Sequence, residues 1–431
     1  MKKFFSKSGL LCAAGLLAGS LLSAAPKSVP AKYAVNAPIE IVWWHALENQ
    51  YADLVNEVVD NFNKSQDKIT VKAEYIGNYA AVNQALVAAQ AAGSGLPAVV
   101  VANTPYVAQY GASGLCEDLT PYIKATGFDL NDFGEGMIKA SSYNKKQVSL
   151  PFLISTQVMY YNKDMAKKKG VEIPSQFKDM DQFLSKVSEV SGGNTKVWGT
   201  IIPGWDQWYF ETFFLNNGVN IVNKNGTSTD LGGKASVATT KAIGDWIKKG
   251  YAYFAVGKDA SSQMRQNFID GNAFSVIHTS SLYNTYVQKC KNFEVGMAWL
   301  PAAKTRKQEI GGCVLLIPSK NSQAVKNAAW QFLSYLCSKD INMKWAEGTG
   351  YMPTRKSVLN TAEGKDFLQR KPAFKCIFDN LDNIYPRIQN KNWNQLASIW
   401  MNYLSEFYNN NVNIDKNIKQ MAMEIDEVLE D

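Results

Sequence analysis

At 431 residues the chain is too long for one small module and suits two lobes of about 150–200 residues, with enough core to need no disulfides or metals. Aromatic residues at 12% and charged residues at 19% exclude a disordered chain or a coiled coil. The formal charge of +7 falls to +4 without Lys2, Lys3 and Lys7, too little over this length to imply nucleic acid or an anionic membrane as partner.

Residues 1–25 read as a secretory signal peptide. Lys2, Lys3 and Lys7 form its basic start, Gly9 to Leu22 an apolar stretch too short to span a bilayer, and Ser23-Ala24-Ala25 its cleavage region. An uncleaved anchor is the alternative. A lipid anchor would use Cys12, but Leu11 stands where a small residue is needed. The mature chain is therefore expected to be exported, in the periplasm. Its five cysteines, Cys116, Cys290, Cys313, Cys337 and Cys376, have no zinc-site spacing and are expected mainly as buried thiols. Two histidines, His45 and His278, leave little material for a catalytic triad or a histidine metal site. No catalytic residue, metal or cofactor is expected.

Ile39–Trp44 reads as a buried strand. Tyr51, Leu54, Val55, Val58, Val59 and Phe62 then fall on one helical face. Ile69, Val71, Ala73 and Tyr75 alternate as a second strand. A second helix follows Gly77-Asn78-Tyr79 and carries Val82, Leu86 and Val87 on one side. Ala98–Ala102 is a continuous apolar run suited to a central parallel strand. This alternation predicts a doubly wound α/β lobe. Val148–Phe152 and Val158–Tyr161 read as two strands separated by residues 153–157, and a second α/β lobe begins after Asp164. It includes the segment Gly204-Trp205-Asp206-Gln207-Trp208, a helix around Ile243, Trp246 and Ile247, and the strand Ala273–Ile277. A strand with a glycine pair, Ile310–Ile317, and a mostly helical last hundred residues complete the chain, with Ala328, Ala329, Phe332, Leu333 and Leu336 on one face.

Ten short pieces follow one another along nearly the whole mature chain. They are Trp44-His45-Ala46, Phe62-Asn63, Gly77-Asn78-Tyr79, Leu150-Pro151-Phe152, Ser155-Thr156 with Tyr160-Tyr161-Asn162-Lys163-Asp164, the Trp205/Trp208 pair, Phe268 with Gly271, Thr279-Ser280-Ser281, Ile310-Gly311-Gly312, and Thr349-Gly350-Tyr351-Met352-Pro353-Thr354. In this order and spacing the chain resembles the extracellular solute-binding proteins of ABC importers (family 1), in the branch that binds glycerol 3-phosphate and carbohydrates. The resemblance implies an α/β, two-lobe periplasmic-binding-protein fold, type II-like, with a hinge and a ligand cleft between lobes. Lobe 1 would comprise 38–156 plus 275–316, and lobe 2 157–274 plus 317–431. The function implied is capture of a small solute (sugar, polyol or glycerol phosphate) and its delivery to the transmembrane subunits of an ABC permease, by a monomer that does no catalysis.

A polyhydroxyl solute needs hydroxyl and amide partners for orientation and aromatic surface for its CH face. The resemblance places Tyr79, Ser155, one of Ser280 and Ser281, Gly311 or Gly312, and Tyr351 on ligand-contacting positions. Thr156 adjoins them, and Trp205 and Trp208 are either stacking platforms or core. His45 reads as structural, Glu48 and Arg355 as solvated charges, and Cys313 as a packing residue. Two positions depart from the branch: Thr104 stands where a glutamate receives glycerol hydroxyls, and Ala397 where an arginine holds phosphate, with Arg387 as a substitute ten residues earlier. These departures shift the expected ligand toward a neutral sugar or polyol. An exported glycan or phosphodiester hydrolase and a surface adhesin on the same fold are the alternatives.

Overall fold

The computed structural model describes residues 30–48, 51–410 and 412–430, so the predicted signal peptide, with Cys12, lies outside the described residues. The predicted opening alternation is present. Strand Ile39–His45, helix Ala52–Ser65, strand Ile69–Tyr75, helix Tyr79–Ala92 and strand Val99–Asn103 follow in order, and the first strand pairs in parallel with the other two. The first helix buries Val55, Val58, Val59 and Phe62, the stripe its 3.6-residue period requires. The second starts on Asn78, whose Oδ1 accepts from the Ala81 N–H at 3.0 Å. It buries Val82 and Leu86, whereas Val87, expected on the same side, is 43% exposed.

One sheet runs through both halves of the molecule. From edge to edge it takes Ala252–Ala255, Thr200–Pro203, Ser275–Thr279, Leu150–Asn162, Gln308–Leu316, Val99–Asn103, Ile39–His45 and Ile69–Tyr75. Leu150–Asn162 is a single 13-residue strand, where two strands and a connection were expected. Up to Thr156 it pairs with Gln308–Leu316, and from Gln157 it pairs with Ser275–Thr279. At that change of partner Thr156 bonds within the sheet and Gln157 bonds Trp208 and Thr212 of the helix packed on it, so nothing forces a turn there.

The cores divide the chain differently from the expected lobes at two segments. One core gathers Trp43, Phe62, Val99, Phe152, Leu315, Ala328, Phe332 and Trp345; another gathers Met159, Phe210, Trp246, Ile277, Leu300, Trp400 and Ile425. Strand 275–279, expected in lobe 1, is hydrogen-bonded antiparallel to 157–161 and packs with the second core. Helix Gln323–Leu336, expected in lobe 2, packs with the first, its Phe332 ring 5.0 Å from Phe62 and 5.5 Å from Trp43. A third core, including Ile154, Tyr160, Ile310, Met352 and Phe374, lies where the strands cross from one half to the other. The five mature cysteines are free thiols. No helix among the described residues is long and apolar enough to cross a membrane.

Candidate functional site

The strand crossing positions the site. Ser155 pairs with Gly311 and Ile154 with Gly312, and the register then slips by one residue after Cys313. The two glycines have different causes. A Cβ on Gly311 would stand 2.5 Å from the Trp208 ring and 3.0 Å from Ser155 Oγ. Gly312 has φ +89°, and a Cβ there would meet the Leu153 carbonyl oxygen at 2.0 Å. The first glycine admits an indole; the second permits the bulge.

Around this crossing the structure collects most of the predicted residues. The Met352 N–H donates to the Ile154 carbonyl at 2.9 Å and the Gly350 N–H to the Ser281 carbonyl at 3.1 Å, which fixes Tyr351 beside Ser155 and Ser281. The Tyr79 hydroxyl lies against Tyr351 and the Cys313 thiol, and Tyr351 also meets Ser281. Burial pushes both phenols far above their usual range, so each keeps a proton to donate. Cys313, expected only to pack, touches this group. Ser281 shares a hydrogen bond with Thr279 Oγ1 at 2.9 Å and lines an interlobe cavity of about 500 Å3 together with Tyr51, Arg265 and Thr349.

Three predicted residues are committed inside the protein. Thr156 Oγ1 donates to the Glu309 carbonyl at 2.9 Å and accepts from Gln308 Nε2 at 3.1 Å. Ser280 Oγ accepts from the Thr156 N–H at 3.2 Å. Trp208 is buried and its Nε1 donates to the Ile310 carbonyl at 3.2 Å, a brace between helix Trp208–Asn216 and the crossing strand. Trp205 is half-buried, edge-on to Tyr209 at 5.9 Å and to His278 at 6.2 Å. The tryptophan pair thus separates into one core residue and one that keeps a partly open face.

A buried charged group had no place among the predicted contacts. Arg387 Nη2 donates to Glu211 Oε1 at 2.6 Å and Nε to Oε2 at 3.3 Å, and both side chains are inaccessible. Glu309 is fully buried beside them. Burial, then the Glu211 carboxylate, push its carboxyl well above the usual range. Neither Glu309 carboxyl oxygen has a hydrogen-bond partner among the described residues, which favours the neutral acid there. Asp206 adjoins Arg387 and accepts from the Trp208 N–H at 2.9 Å. Gln389 Nε2 donates to the Thr104 carbonyl at 3.2 Å, tying this group to the end of strand 99–103, where Asn103 stands opposite Cys313. Asn103 Oδ1, Thr104 Oγ1 and Gln389 Oε1 are buried and have no hydrogen-bond partner among the described residues. Ala397 packs in the second core, so it is no binding position. Arg355, read as solvated, is buried, with its guanidinium 4.0 Å from the Phe133 ring centre. The available signal was local: Glu211 interrupts the aromatic run Trp208–Phe214, and a carboxylate in such a run demands a partner.

Neither histidine is placed as a general base. His45 Nδ1 accepts from the Leu47 N–H at 3.2 Å, and His278 Nδ1 meets the Tyr286 hydroxyl at 2.9 Å. Burial lowers His45 to about 4; burial and then Arg265 lower His278 to about 3. An unfolded histidine titrates near 6.5, so as pH falls below about 6.5 the unfolded chain takes up protons that the folded chain refuses. Their stabilisation is therefore complete above about pH 6.5 and is lost progressively on acidification toward their folded values. The melting temperature is expected to fall between pH 6.5 and 4.5, with a shallower fall in His278→Gln; identical slopes in the two proteins would contradict this assignment.

The family profile of bacterial extracellular solute-binding proteins matches residues 57–375. The sn-glycerol-3-phosphate-binding periplasmic protein of Pectobacterium atrosepticum is 26% identical over 353 residues, 78% of each chain. Its counterpart in Escherichia coli K12 is 27% identical over 352 residues, 77% of this chain and 78% of that one. The structure of UgpB from Mycobacterium tuberculosis in complex with glycerophosphocholine superposes with a TM-score of 0.81 at 22% identity, covering 91% of this chain and 99% of that one. The sugar-binding protein MalE of Xanthomonas citri gives 0.79 at 18% identity, covering 91% and 97%. The fold is that of the two-lobe binding proteins.

Proposed function

Because the chain belongs to the bacterial extracellular solute-binding proteins, we propose that it captures a polyhydroxyl solute, either a sugar or polyol or a glycerophosphate compound, in the cleft where the sheet crosses between lobes. It then delivers that solute to the transmembrane subunits of an ABC importer. It works as an exported, periplasmic monomer, without metal or cofactor. The observation that carries this reading is the set of buried oxygens on Asn103, Thr104 and Gln389 that lack partners among the described residues: Asn103 stands opposite Cys313, which meets Tyr79, and Gln389 bonds the Thr104 carbonyl. Buried acceptors without donors are costly, and a bound solute's hydroxyls would supply the donors.

In this reading Tyr79, Ser155, Ser281 and Tyr351 orient the solute, the backbone at Gly311 and Gly312 approaches it closely, and Trp205 covers its CH face. Thr156, Ser280 and Trp208 hold the crossing in shape. The relatives named for sn-glycerol 3-phosphate and the neighbour holding glycerophosphocholine set the panel to try. A hydrolytic role is disfavoured: Glu211 is closed off in its pair with Arg387 and Glu309 is fully buried, so neither carboxyl is open to a water or a glycosidic bond.

The test is isothermal titration of the mature protein with sn-glycerol 3-phosphate, glycerophosphocholine, glycerol, xylitol and maltose. Saturable binding of at least one at one per chain is expected. No heat from any of them, together with no small molecule retained in native mass spectrometry, would overturn the reading.

A further inference from the structure

Resting on the reading of the interlobe cleft as the solute site, we propose that an acidic group on the solute, a phosphate ester or a carboxylate, is held at the cleft mouth by Arg265 and not by Arg387. Arg265 lies on helix Ala260–Ile269 and lines the interlobe cavity of about 500 Å3 beside Ser281, Asn284 and Lys289. Glu48 is the one acid among the described residues lining it, against these two cations. No carboxylate of the described residues lies within 4 Å of the Arg265 guanidinium. Its charge instead acts on His278, Tyr209 and Tyr286, the aromatic wall on which Trp205 sits. A half-buried guanidinium with no anion of its own, facing a cavity of solute size, is a ready partner for one.

Arg387 is in the opposite condition. It is buried, engaged by both oxygens of Glu211, and has Asp206 and Glu309 alongside. Even with Glu309 protonated, two carboxylates surround one guanidinium. An added phosphate would meet repulsion from both at low dielectric. The cavity beside Arg265 and Lys289 also carries Ser281, whose hydroxyl meets Tyr351. A polyol with one acidic end fits this arrangement, its hydroxyls toward Ser281 and Tyr351 and its acid toward Arg265.

The experiment titrates the full mature protein and its Arg265→Ala and Arg265→Lys variants. The probes are sn-glycerol 3-phosphate, glycerophosphocholine, glycerate and the neutral polyol xylitol. Expected is a weakening of about 10- to 100-fold for the acidic probes in Arg265→Ala, partial recovery in Arg265→Lys, and unchanged xylitol binding. Glycerate against the phosphate probes distinguishes a carboxylate from a phosphate ligand. Acidic probes bound within twofold of wild type by Arg265→Ala, or a wild type that binds only xylitol, would overturn the inference and leave the solute-binding reading standing. A wild type that binds only glycerol or maltose would likewise overturn the inference alone; one that binds none of these compounds and retains no small molecule in native mass spectrometry would overturn both.

Discussion

Arg387→Ala is expected to destabilise the protein by about 3–5 kcal/mol, the cost of stranding one member of a buried ion pair. Glu211 has no access to water, and Glu309 and Asp206 are already beside it. Removing the guanidinium leaves three carboxyl groups in one dry space, so at least one more of them must take up a proton or the segments must part. Arg387→Met combined with Glu211→Leu is expected to regain most of the loss, because an apolar pair of similar size carries no desolvation cost. Urea denaturation of the single and double variants checks both statements. A single variant with an unchanged midpoint would show that the pair is not buried in solution. Glu309→Gln is a useful companion, since it removes a group that burial already holds neutral and should change stability little.

Gly312→Ala is expected to be nearly as damaging, about 3 kcal/mol or more. Two costs combine: a side chain at φ +89°, and a Cβ 2.0 Å from the Leu153 carbonyl oxygen, which is backbone and cannot swing aside. Relief requires undoing the register slip after Cys313, and with it the alignment of Ser155 against Gly311. Gly311→Ala should cost less in stability, because its neighbours are the Trp208 ring and the Ser155 hydroxyl, both side chains. It should instead weaken solute binding by displacing them. Thermal melts of the two variants, read beside titration of whichever solute binds wild type, separate these effects. Equal melting temperatures for Gly312→Ala and wild type would contradict the bulge as described.

The first five elements were legible because their periods are local: the apolar stripe of Val55, Val58, Val59 and Phe62 and the run Val99–Ala102 state their own environment. Leu150–Asn162 was not legible as one strand. Ser155, Thr156 and Gln157 look like a connection, but their polar groups are matched by partners such as Gln308, which lies some 150 residues further on. The packing partners of two later segments were not legible for the same reason. Nothing within residues 275–279 says that their ladder runs to 157–161, and nothing within 323–336 says that Phe332 lies on Trp43. The gathering of Tyr79, Tyr351 and Ser281 follows from turns and short contacts near each residue, the kind of signal that turn chemistry and resemblance carry. The choice between Ser280 and Ser281 rests on which hydroxyl a distant N–H claims. The Glu211–Arg387 pair spans 176 residues, and only the oddity of a carboxylate among aromatics hinted at it.

Two halves joined by the crossing strands are expected to close on a hydroxyl-rich solute. Small-angle scattering of the mature protein, with and without the panel compound that titrates, tests it most directly. A smaller radius of gyration that saturates at one solute per chain is expected. A scattering curve unmoved by a saturating concentration of that compound would contradict it.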